Sequence, residues 1–342
     1  MAAWRAVRWG LRSLAFAGLM ALAGCSQIHL DQAPDAAIVR VGSLDRTVTA
    51  RPLARRYAPY AVMAAKAREP LSPEGQRIGK ETSFGDSDAA ARAWIRPWRF
   101  EKGQFGPLCA NNKVGCSGVN GLQYHIWSRP QGRICREVAI VLLGTDPGSL
   151  GDWLSNLHWV LRVLPLNDQY DQMQTSTGPI VADIKKNLSC AVTPATRIVA
   201  VGHSLGGGLA HQAAYMTGDI KQVYAFNPSP VTGFGDPDTP AGAGAGVKVD
   251  RIYEHGEALA YLRLVQRQIA PPSVCRPEIR TVRFNLIQGN IFRQHSMVEL
   301  AKSIVKAAGP PDARGPPAEP PPALPQDKRA EGCLPPLVAS AR

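Results

Sequence analysis

The sequence lacks several patterns that would each define a class of protein. No cysteines are spaced as Cys-x-x-Cys and no histidines pair at zinc-ligand spacing, which argues against a zinc site. No basic run with interleaved aromatic residues is present, so nothing favours nucleic-acid binding. The stretch at residues 241 to 246 is glycine-rich but lacks the spacing of a nucleotide-binding loop. We therefore expect no metal, no organic cofactor and no nucleic-acid partner.

What the chain does contain is typical of a globular protein. It has 342 residues, of which 45% are hydrophobic and 19% are charged. This length is enough for one large domain with its own core, or for two small ones. The formal net charge of +12 favours anionic surfaces such as phospholipid headgroups, although it serves solubility equally well.

The first 24 residues have the organisation of a signal peptide. A positive segment opens the chain, with Arg5, Arg8 and Arg12. The apolar run that follows, residues 14 to 23, is too short to span a bilayer comfortably. It ends in Leu22-Ala23-Gly24-Cys25, which resembles the lipobox of bacterial lipoproteins. The resemblance implies acylation of Cys25 and, with Ser26 next, an outer-membrane location; the alternative is an ordinary signal peptide with a chance cysteine.

The cysteine count agrees with export. Besides Cys25 there are six: Cys109, Cys116, Cys135, Cys190, Cys275 and Cys333. An even set in an oxidising compartment predicts up to three disulfides, with 15 possible pairings. Cys109 and Cys116 close a short loop, and we predict this pair first.

Four segments follow from the composition: a signal peptide at 1–24, an irregular polar tether at 25–52, a folded domain at 53–308 and a proline-rich tail at 309–342. In the domain, two continuous apolar runs, residues 137 to 143 and 197 to 201, are typical of buried parallel strands. Further strands are expected at 122–128, 223–226, 249–253 and 281–287, and helices at 54–68, 176–188, 205–216 and 297–307. Their alternation predicts an α/β fold with a mostly parallel sheet covered by helices on both faces.

The strongest functional signal is Gly202-His203-Ser204-Leu205-Gly206, placed after a predicted strand and before a predicted helix. A serine on such a sharp turn needs neighbours without bulky side chains, and Gly202 and Gly206 meet that need. The backbone amides at the helix N-terminus favour developing negative charge. We predict that Ser204 is a nucleophile; otherwise it is a bystander in a glycine-rich turn, and His203 packs or bonds locally.

The same region resembles the class 3 lipases. The turn at Ser204, called the elbow below, continues as Gly207-Gly208-Leu209-Ala210. Two matching segments lie upstream, Leu143-Gly144-Thr145 and Asp152-Trp153-Leu154-Ser155-Asn156-Leu157. A third lies downstream, Ala225-Phe226-Asn227-Pro228-Ser229-Pro230. The similarity spans about residues 122 to 305. Leu142 and Leu143 replace the aromatic residue and the arginine that the family usually has before Gly-Thr. The resemblance implies the α/β-hydrolase fold and hydrolysis of acyl-lipid esters.

A serine nucleophile needs a base and a carboxylate, which follow it along the chain in this fold. His255 and His295 are the histidines that follow the elbow and its helix, and His295 stands where the fold delivers its base, before the last helix. Glu257 best matches the family's acid, which is usually aspartate. Four other carboxyl residues remain possible: Asp236, Asp238, Asp250 and Glu254.

The resemblance also implies an oxyanion hole formed by the backbone amides of Leu205 and Thr145. Together these features predict a serine carboxylic ester hydrolase that acts on acyl lipids through an acyl-serine intermediate, without a cofactor. We expect it in the bacterial cell envelope, held at the membrane by lipidated Cys25. Two alternatives remain open: an envelope acyltransferase or thioesterase that uses the same triad, and a non-catalytic scaffold lipoprotein.

Overall fold

A computed structural model describes residues 32–41, 44–67, 84–105, 122–143, 169–233, 240, 242–260 and 277–311. The chain divides into two compact units, Met1–Ala33 and Pro34–Arg342. Every helix and strand named below lies in the second unit. Its strands are β1 (Ala36–Val41), β2 (Leu44–Thr49), β3 (Arg99–Phe105), β4 (Gln123–Gln131), β5 (Ile134–Leu142), β6 (Arg197–His203), β7 (Ile220–Phe226), β8 (Lys248–Glu254) and β9 (Glu278–Phe284). Its helices are α1 (Ala50–Lys66), α2 (Asp88–Ile95), α3 (Gln169–Asn187), α4 (Leu205–Met216), α5 (Ile291–His295) and α6 (Met297–Ala308).

The strands of the described residues form one sheet in the order β2-β1-β9-β8-β7-β6-β5-β4-β3. Its centre, from β5 to β9, is parallel, whereas β1, β2, β3 and β4 pair antiparallel at the two edges. The predicted mostly parallel α/β sheet is confirmed. In the register of the centre, Gly202 of β6 pairs with Leu142 on one side and with Ala225 on the other.

Helices cover both faces of this sheet, also as predicted. Along β6 the side chains alternate, so that Ile198 and Ala200 join one core while Val199 and Val201 join the other. The first core contains buried residues of α3 and α4, and the second contains those of α1, α2 and α6. Burial on both faces explains why the central strands are continuous apolar runs instead of alternating ones.

The prediction of an irregular tether up to residue 52 is wrong for residues 36–41 and 44–49, which form β1 and β2, and for residues 50–52, which begin α1. Strand β1 adds to the sheet beside β9, where Val39 pairs with Val282. Ala37 and Val39 are buried, whereas Ile38 between them is only partly buried. The less buried face of β1 also carries apolar residues, Ala36 and Ile38, so the sequence shows no alternation that would indicate a strand with one buried face.

Helix α3 begins at Gln169, ahead of the predicted start at residue 176, and the other boundaries shift by a few residues. The sequence did not predict α2, β3 or the short helix α5. The signal peptide, Cys25 and residues 312 to 342 of the tail lie outside the described residues. In the part of the chain that is described, no helix combines the length and the apolar character needed to cross a bilayer.

One disulfide is present in the described part, between Cys135 of β5 and Cys190 after α3. Beside it, the Cys135 amide donates to the Ala191 carbonyl over 2.9 Å, so the bond fastens the loop after α3 to the start of a central strand. The predicted partners Cys109 and Cys116 lie outside the described residues.

We expect that replacing Cys135 and Cys190 together by serine lowers the free energy of unfolding by about 4 kcal/mol, the loop-entropy value for a closed loop of this size. The two cysteines are 55 residues apart. Urea denaturation of the double variant and the wild type, both oxidised, measures the difference. Equal midpoints and slopes would show that the bond contributes nothing to stability.

Candidate active site

Ser204 occupies a strained turn between β6 and α4. Its φ of 55° and ψ of −122° lie outside the regions that a non-glycine residue normally adopts. Its amide donates to the Phe226 carbonyl (3.0 Å), and its carbonyl accepts from Gly207 (3.0 Å), Gly208 (3.3 Å) and Ser229 (2.9 Å). These four bonds hold the strained residue in place, as is found at functional sites.

Glycine at position 202 is required by the close approach of β6 and α4. A Cβ added to Gly202 would lie 2.0 Å from the Gly206 carbonyl oxygen, and one added to Gly207 would lie 2.8 Å from Cβ of Pro228. A methyl group at Gly202 meets backbone that no side-chain rotation can move aside. The interpretation of the Gly-x-Ser-x-Gly pattern as a tight strand-to-helix turn is therefore confirmed.

We expect that Gly202→Ala lowers the free energy of unfolding by about 3 kcal/mol or more, because the overlap involves backbone on both sides. The matched control is Gly178→Ala in α3, where an added Cβ meets nothing within 4 Å. Alanine is the better helix former, but Pro179 follows and restricts the residue before it, so we expect Gly178→Ala to change the free energy of unfolding by less than about 1 kcal/mol. Thermal unfolding of both variants measures the contrast, and a Gly202→Ala protein as stable as the wild type would contradict the geometry.

A hydrogen-bonded chain connects Ser204 to two residues that lie far along the sequence. Ser204 Oγ lies 3.1 Å from His295 Nε2, and His295 Nδ1 lies 2.5 Å from Glu257 Oε2. All three residues are buried: Ser204 and His295 are 5% exposed and Glu257 is fully buried. In the neutral arrangement His295 Nδ1–H donates to the carboxylate, which leaves Nε2 to accept the proton of the serine hydroxyl. Although Ser204 is the N-cap residue of α4, its hydroxyl makes no capping bond.

Glu257 reaches His295 because the chain turns immediately after β8. Gly256 takes a φ of 74°, and the Leu259 amide donates to Glu257 Oε2 over 3.0 Å. The other described carboxyl groups are engaged elsewhere. Glu254 Oε1 accepts two backbone N–H groups, and Asp250 Oδ2 accepts from Arg280 Nη2 over 2.7 Å. Asp236 and Asp238 lie outside the described residues.

The imidazole is carried by the last residue of the short helix α5. Asn290 caps this helix by accepting from the Arg293 amide, and Ser296 caps α6 directly after it. Helix α6 buries Leu300 and Ile304 in the core, which fixes the segment against the sheet. The structure thus brings His295, which the sequence favoured over His255, to the serine.

Two other histidines are buried as neutral side chains. Burial lowers the pKa of His125 to about 4, and burial, with a smaller effect of Arg251, lowers that of His211. His125 packs its ring against Phe100, and His211 Nδ1 lies 3.1 Å from the Tyr215 hydroxyl. Both are packing residues that lie away from the chain of bonds between Ser204, His295 and Glu257.

Of the two predicted oxyanion donors, the structure describes one. Leu205 is the first residue of α4, so its amide has no intrahelical acceptor. Thr145 lies outside the described residues. Among the described residues, no group of three or more His, Cys, Asp or Glu side chains could hold a metal ion.

Two residues whose sequence pattern did not indicate a role in the site, His203 and Asn227, contact the main chain at and beside His295. His203 makes a bond that spans 92 positions instead of a local one. Asn227 has a φ of 39°, which asparagine tolerates better than most residues, and it follows β7 directly. An asparagine at a strand end before proline was the available signal for the second.

The raised pKa of Glu254 leads us to expect an unusual dependence of stability on pH. Burial raises its pKa to about 7, against the opposing effect of the Ile287 and Leu286 amides that its carboxylate accepts. Because the unfolded state ionises first, near the ordinary pKa of 4.5, the contribution of Glu254 to stability falls as pH rises from about 4.5 to 7. The change is about 3 kcal/mol, from 1.36 kcal/mol per pKa unit.

We expect Glu254→Gln to lack this loss, because an amide does not ionise, and its oxygen can still accept the two N–H groups. The difference in unfolding free energy between variant and wild type should therefore move by about 3 kcal/mol in favour of the variant between pH 4.5 and 7. Taking the difference removes the opposite slope that His125 and His211 contribute below pH 6.5. Parallel stability curves for the two proteins would contradict the raised pKa.

The parallel sheet, the strained serine between β6 and α4, and a carboxylate and a histidine that follow in that order define the α/β-hydrolase fold. No protein-family model matches the chain, and no curated protein matches it. Solved structures do. A hyperthermophilic esterase from the archaeon Pyrobaculum calidifontis is 13% identical, with a TM-score of 0.34, and the match covers 84% of this chain and 97% of that one. A monoclinic form of Pyrobaculum calidifontis esterase is 14% identical, with a TM-score of 0.32, 70% of this chain and 99% of that one being covered.

Proposed function

We propose that the chain is a serine hydrolase that cleaves carboxylic esters through an acyl-serine intermediate. The observation that carries this proposal is the buried chain of hydrogen bonds from Ser204 Oγ through His295 to Glu257. A nucleophile, a base within hydrogen-bond reach and a group that orients the base are the parts that nucleophilic catalysis by serine requires.

In the first half of the reaction, Ser204 Oγ bonds to the ester carbonyl carbon while its proton passes to His295 Nε2. The carbonyl electron pair moves onto oxygen, where the Leu205 amide, and in our proposal that of Thr145, stabilises it. The tetrahedral intermediate then collapses, the bond to the alcohol oxygen breaks, and His295 returns the proton to that oxygen. Glu257 stays ionised and stabilises the imidazolium.

In the second half, water attacks the acyl-serine and gives a proton to His295 Nε2. Collapse of the second tetrahedral intermediate breaks the bond to Ser204 Oγ, which takes the proton back. The carboxylic acid leaves and the enzyme is restored without a metal or an organic cofactor.

We further propose acyl lipids, glycerides or phospholipids, as the substrate class. Support comes from the resemblance of the sequence to class 3 lipases and from the formal net charge. That charge is +12 for the whole sequence and +9 once the three arginines of residues 1–24 are removed (12 − 3), and it favours an anionic membrane surface. The lipobox-like Leu22-Ala23-Gly24-Cys25 supports a lipid anchor at Cys25 and an outer-membrane location. Mass spectrometry of the N-terminal peptide from the native envelope tests this, with acylated Cys25 as the first residue expected and an unmodified Cys25 contradicting it.

A panel of p-nitrophenyl esters and phospholipid vesicles tests the activity and the substrate class together. We expect the wild type to release acid from long-chain esters and phospholipids, and Ser204→Ala and His295→Ala to release none above background. Product analysis with an added alcohol separates hydrolysis from transfer to an acceptor. Equal release by all three proteins would reject the mechanism, and activity confined to short soluble esters would reject the lipid substrate.

A further inference from the structure

The imidazole of His203 holds the main chain of His295. His203 Nε2 lies 2.8 Å from the His295 carbonyl oxygen, and the two rings lie 4.9 Å apart. A carbonyl oxygen can only accept, so Nε2 of His203 carries the proton in this bond. His203 is 3% exposed and directly precedes Ser204, so one strand end carries the nucleophile and also a donor to the backbone of the base.

Asn227, which follows the neighbouring strand β7, holds the carbonyl of Gln294, the residue before His295. Its Nδ2 donates to the Gln294 carbonyl (3.1 Å) and its Oδ1 accepts from the Glu254 amide (2.9 Å). Asn227 is fully buried and follows Phe226, whose carbonyl accepts the Ser204 amide. This one side chain therefore connects the segments that carry the base and the acid to the strand beside the nucleophile.

These contacts matter because α5 has only five residues and ends at His295. The last carbonyls of a helix have no intrahelical partner, so without another donor they leave the helix end free to rotate. Rotation about the 294–295 backbone would move the imidazole away from an arrangement that needs both of its nitrogens, at 3.1 Å and 2.5 Å from their partners. A shift of about 1 Å in a reacting group can lower a rate about 100-fold.

We propose that His203 is a positioning residue for His295, and that Asn227 assists it by holding the carbonyl of the residue before. The proposal deepens the proposed function and rests on it for its kinetic test. His203 does not touch the reacting atoms; it acts through the backbone of the base.

The kinetic test compares two replacements of His203 of similar size. His203→Leu removes the donor, and we expect kcat for a p-nitrophenyl ester to fall about 100-fold with KM changed less than about threefold. His203→Gln keeps an N–H donor of similar reach and should recover at least tenfold of that loss. The matched control is His125→Leu, which removes a buried imidazole from β4 and should lower the melting temperature without lowering kcat. A His203→Leu protein with a lower melting temperature but an unchanged kcat would overturn the proposal.

Asn227→Asp serves as a second variant, should His203→Leu fail to fold. It keeps the size and the acceptor but places an oxygen against the Gln294 carbonyl, so kcat should fall with KM nearly unchanged. An unchanged kcat in a folded Asn227→Asp protein would remove Asn227 from the proposal.

A spectroscopic readout separates this proposal from the proposed function. The proton between His295 Nδ1 and Glu257 should give a low-field ¹H resonance in ¹⁵N-labelled wild type that is absent from His295→Ala. We expect this resonance to be lost or shifted in His203→Leu and restored in His203→Gln. If the wild type hydrolysed no ester, the proposed function would fail while the resonance still decided the positioning role. An identical resonance in the wild type and His203→Leu would overturn it.

Discussion

Replacing Ser204 by alanine is expected to lower kcat for ester hydrolysis by about 10⁶-fold, which is the scale found when a triad serine is removed. The hydroxyl is the atom that bonds to the substrate, and no other group can replace it. His295→Ala should produce a loss of similar size, and the double variant should be no slower than either single one, because the two residues act as a unit. Steady-state kinetics on a p-nitrophenyl ester measures all three losses.

Ser176→Ala is the matched control for this series. Ser176 is a buried serine of α3, 2% exposed, whose hydroxyl has no hydrogen-bond partner among the residues that the structure describes. Replacing Ser176 by alanine breaks no hydrogen bond with the described residues, so kcat should stay within about twofold of the wild-type value. If the losses for Ser204 and His295 were small, or added in the double variant, the two residues would not form one catalytic unit.

Glu257→Gln is expected to lower kcat by about 10⁴-fold, as is found when the triad carboxylate becomes an amide. The amide can no longer stabilise the imidazolium, and its N–H group favours the tautomer of His295 in which Nε2 carries the proton and cannot accept another. Glu257→Asp keeps the charge but is one methylene shorter, so it should fall between Glu257→Gln and the wild type. The pH dependence of kcat for the three proteins checks the order.

Glu254→Gln distinguishes two of the carboxyl groups that the sequence left in competition, Glu254 and Glu257. The Glu254 carboxylate accepts the Leu286 and Ile287 amides, bonds that a glutamine oxygen can also make. We therefore expect Glu254→Gln to lower kcat far less than Glu257→Gln does. The reverse order would assign the orienting role to Glu254.

The sequence alone was sufficient to place the central strands and the turn that carries Ser204. Strands β5 and β6 are buried on both faces, so their apolar residues are continuous and leave a strong signal. The turn requires glycine at 202 for a steric reason that the sequence displays directly. Helix α4 begins and ends where its pattern predicts, because the same turn sets its start.

What the sequence could not provide depends on contacts between distant segments. Strand β1 forms where β9 supplies its partner, and β2 forms at the edge of the sheet by pairing with β1. Glu257 could not be separated from Glu254 and Asp250 by spacing, since a single turn at Gly256 decides which carboxylate faces His295. The bonds of His203 and Asn227 reach across 92 and 67 positions to main-chain atoms, and backbone acceptors leave no trace in residue identity.

Labelling with a fluorophosphonate, followed by intact-mass and peptide analysis, tests most directly whether Ser204 is a nucleophile activated by His295. We expect a single adduct, located on Ser204, that forms rapidly in the wild type and far more slowly in His295→Ala. Ser204→Ala should carry none. A folded wild-type protein that stayed unlabelled, or an adduct on any other residue with Ser204 unmodified, would contradict the account.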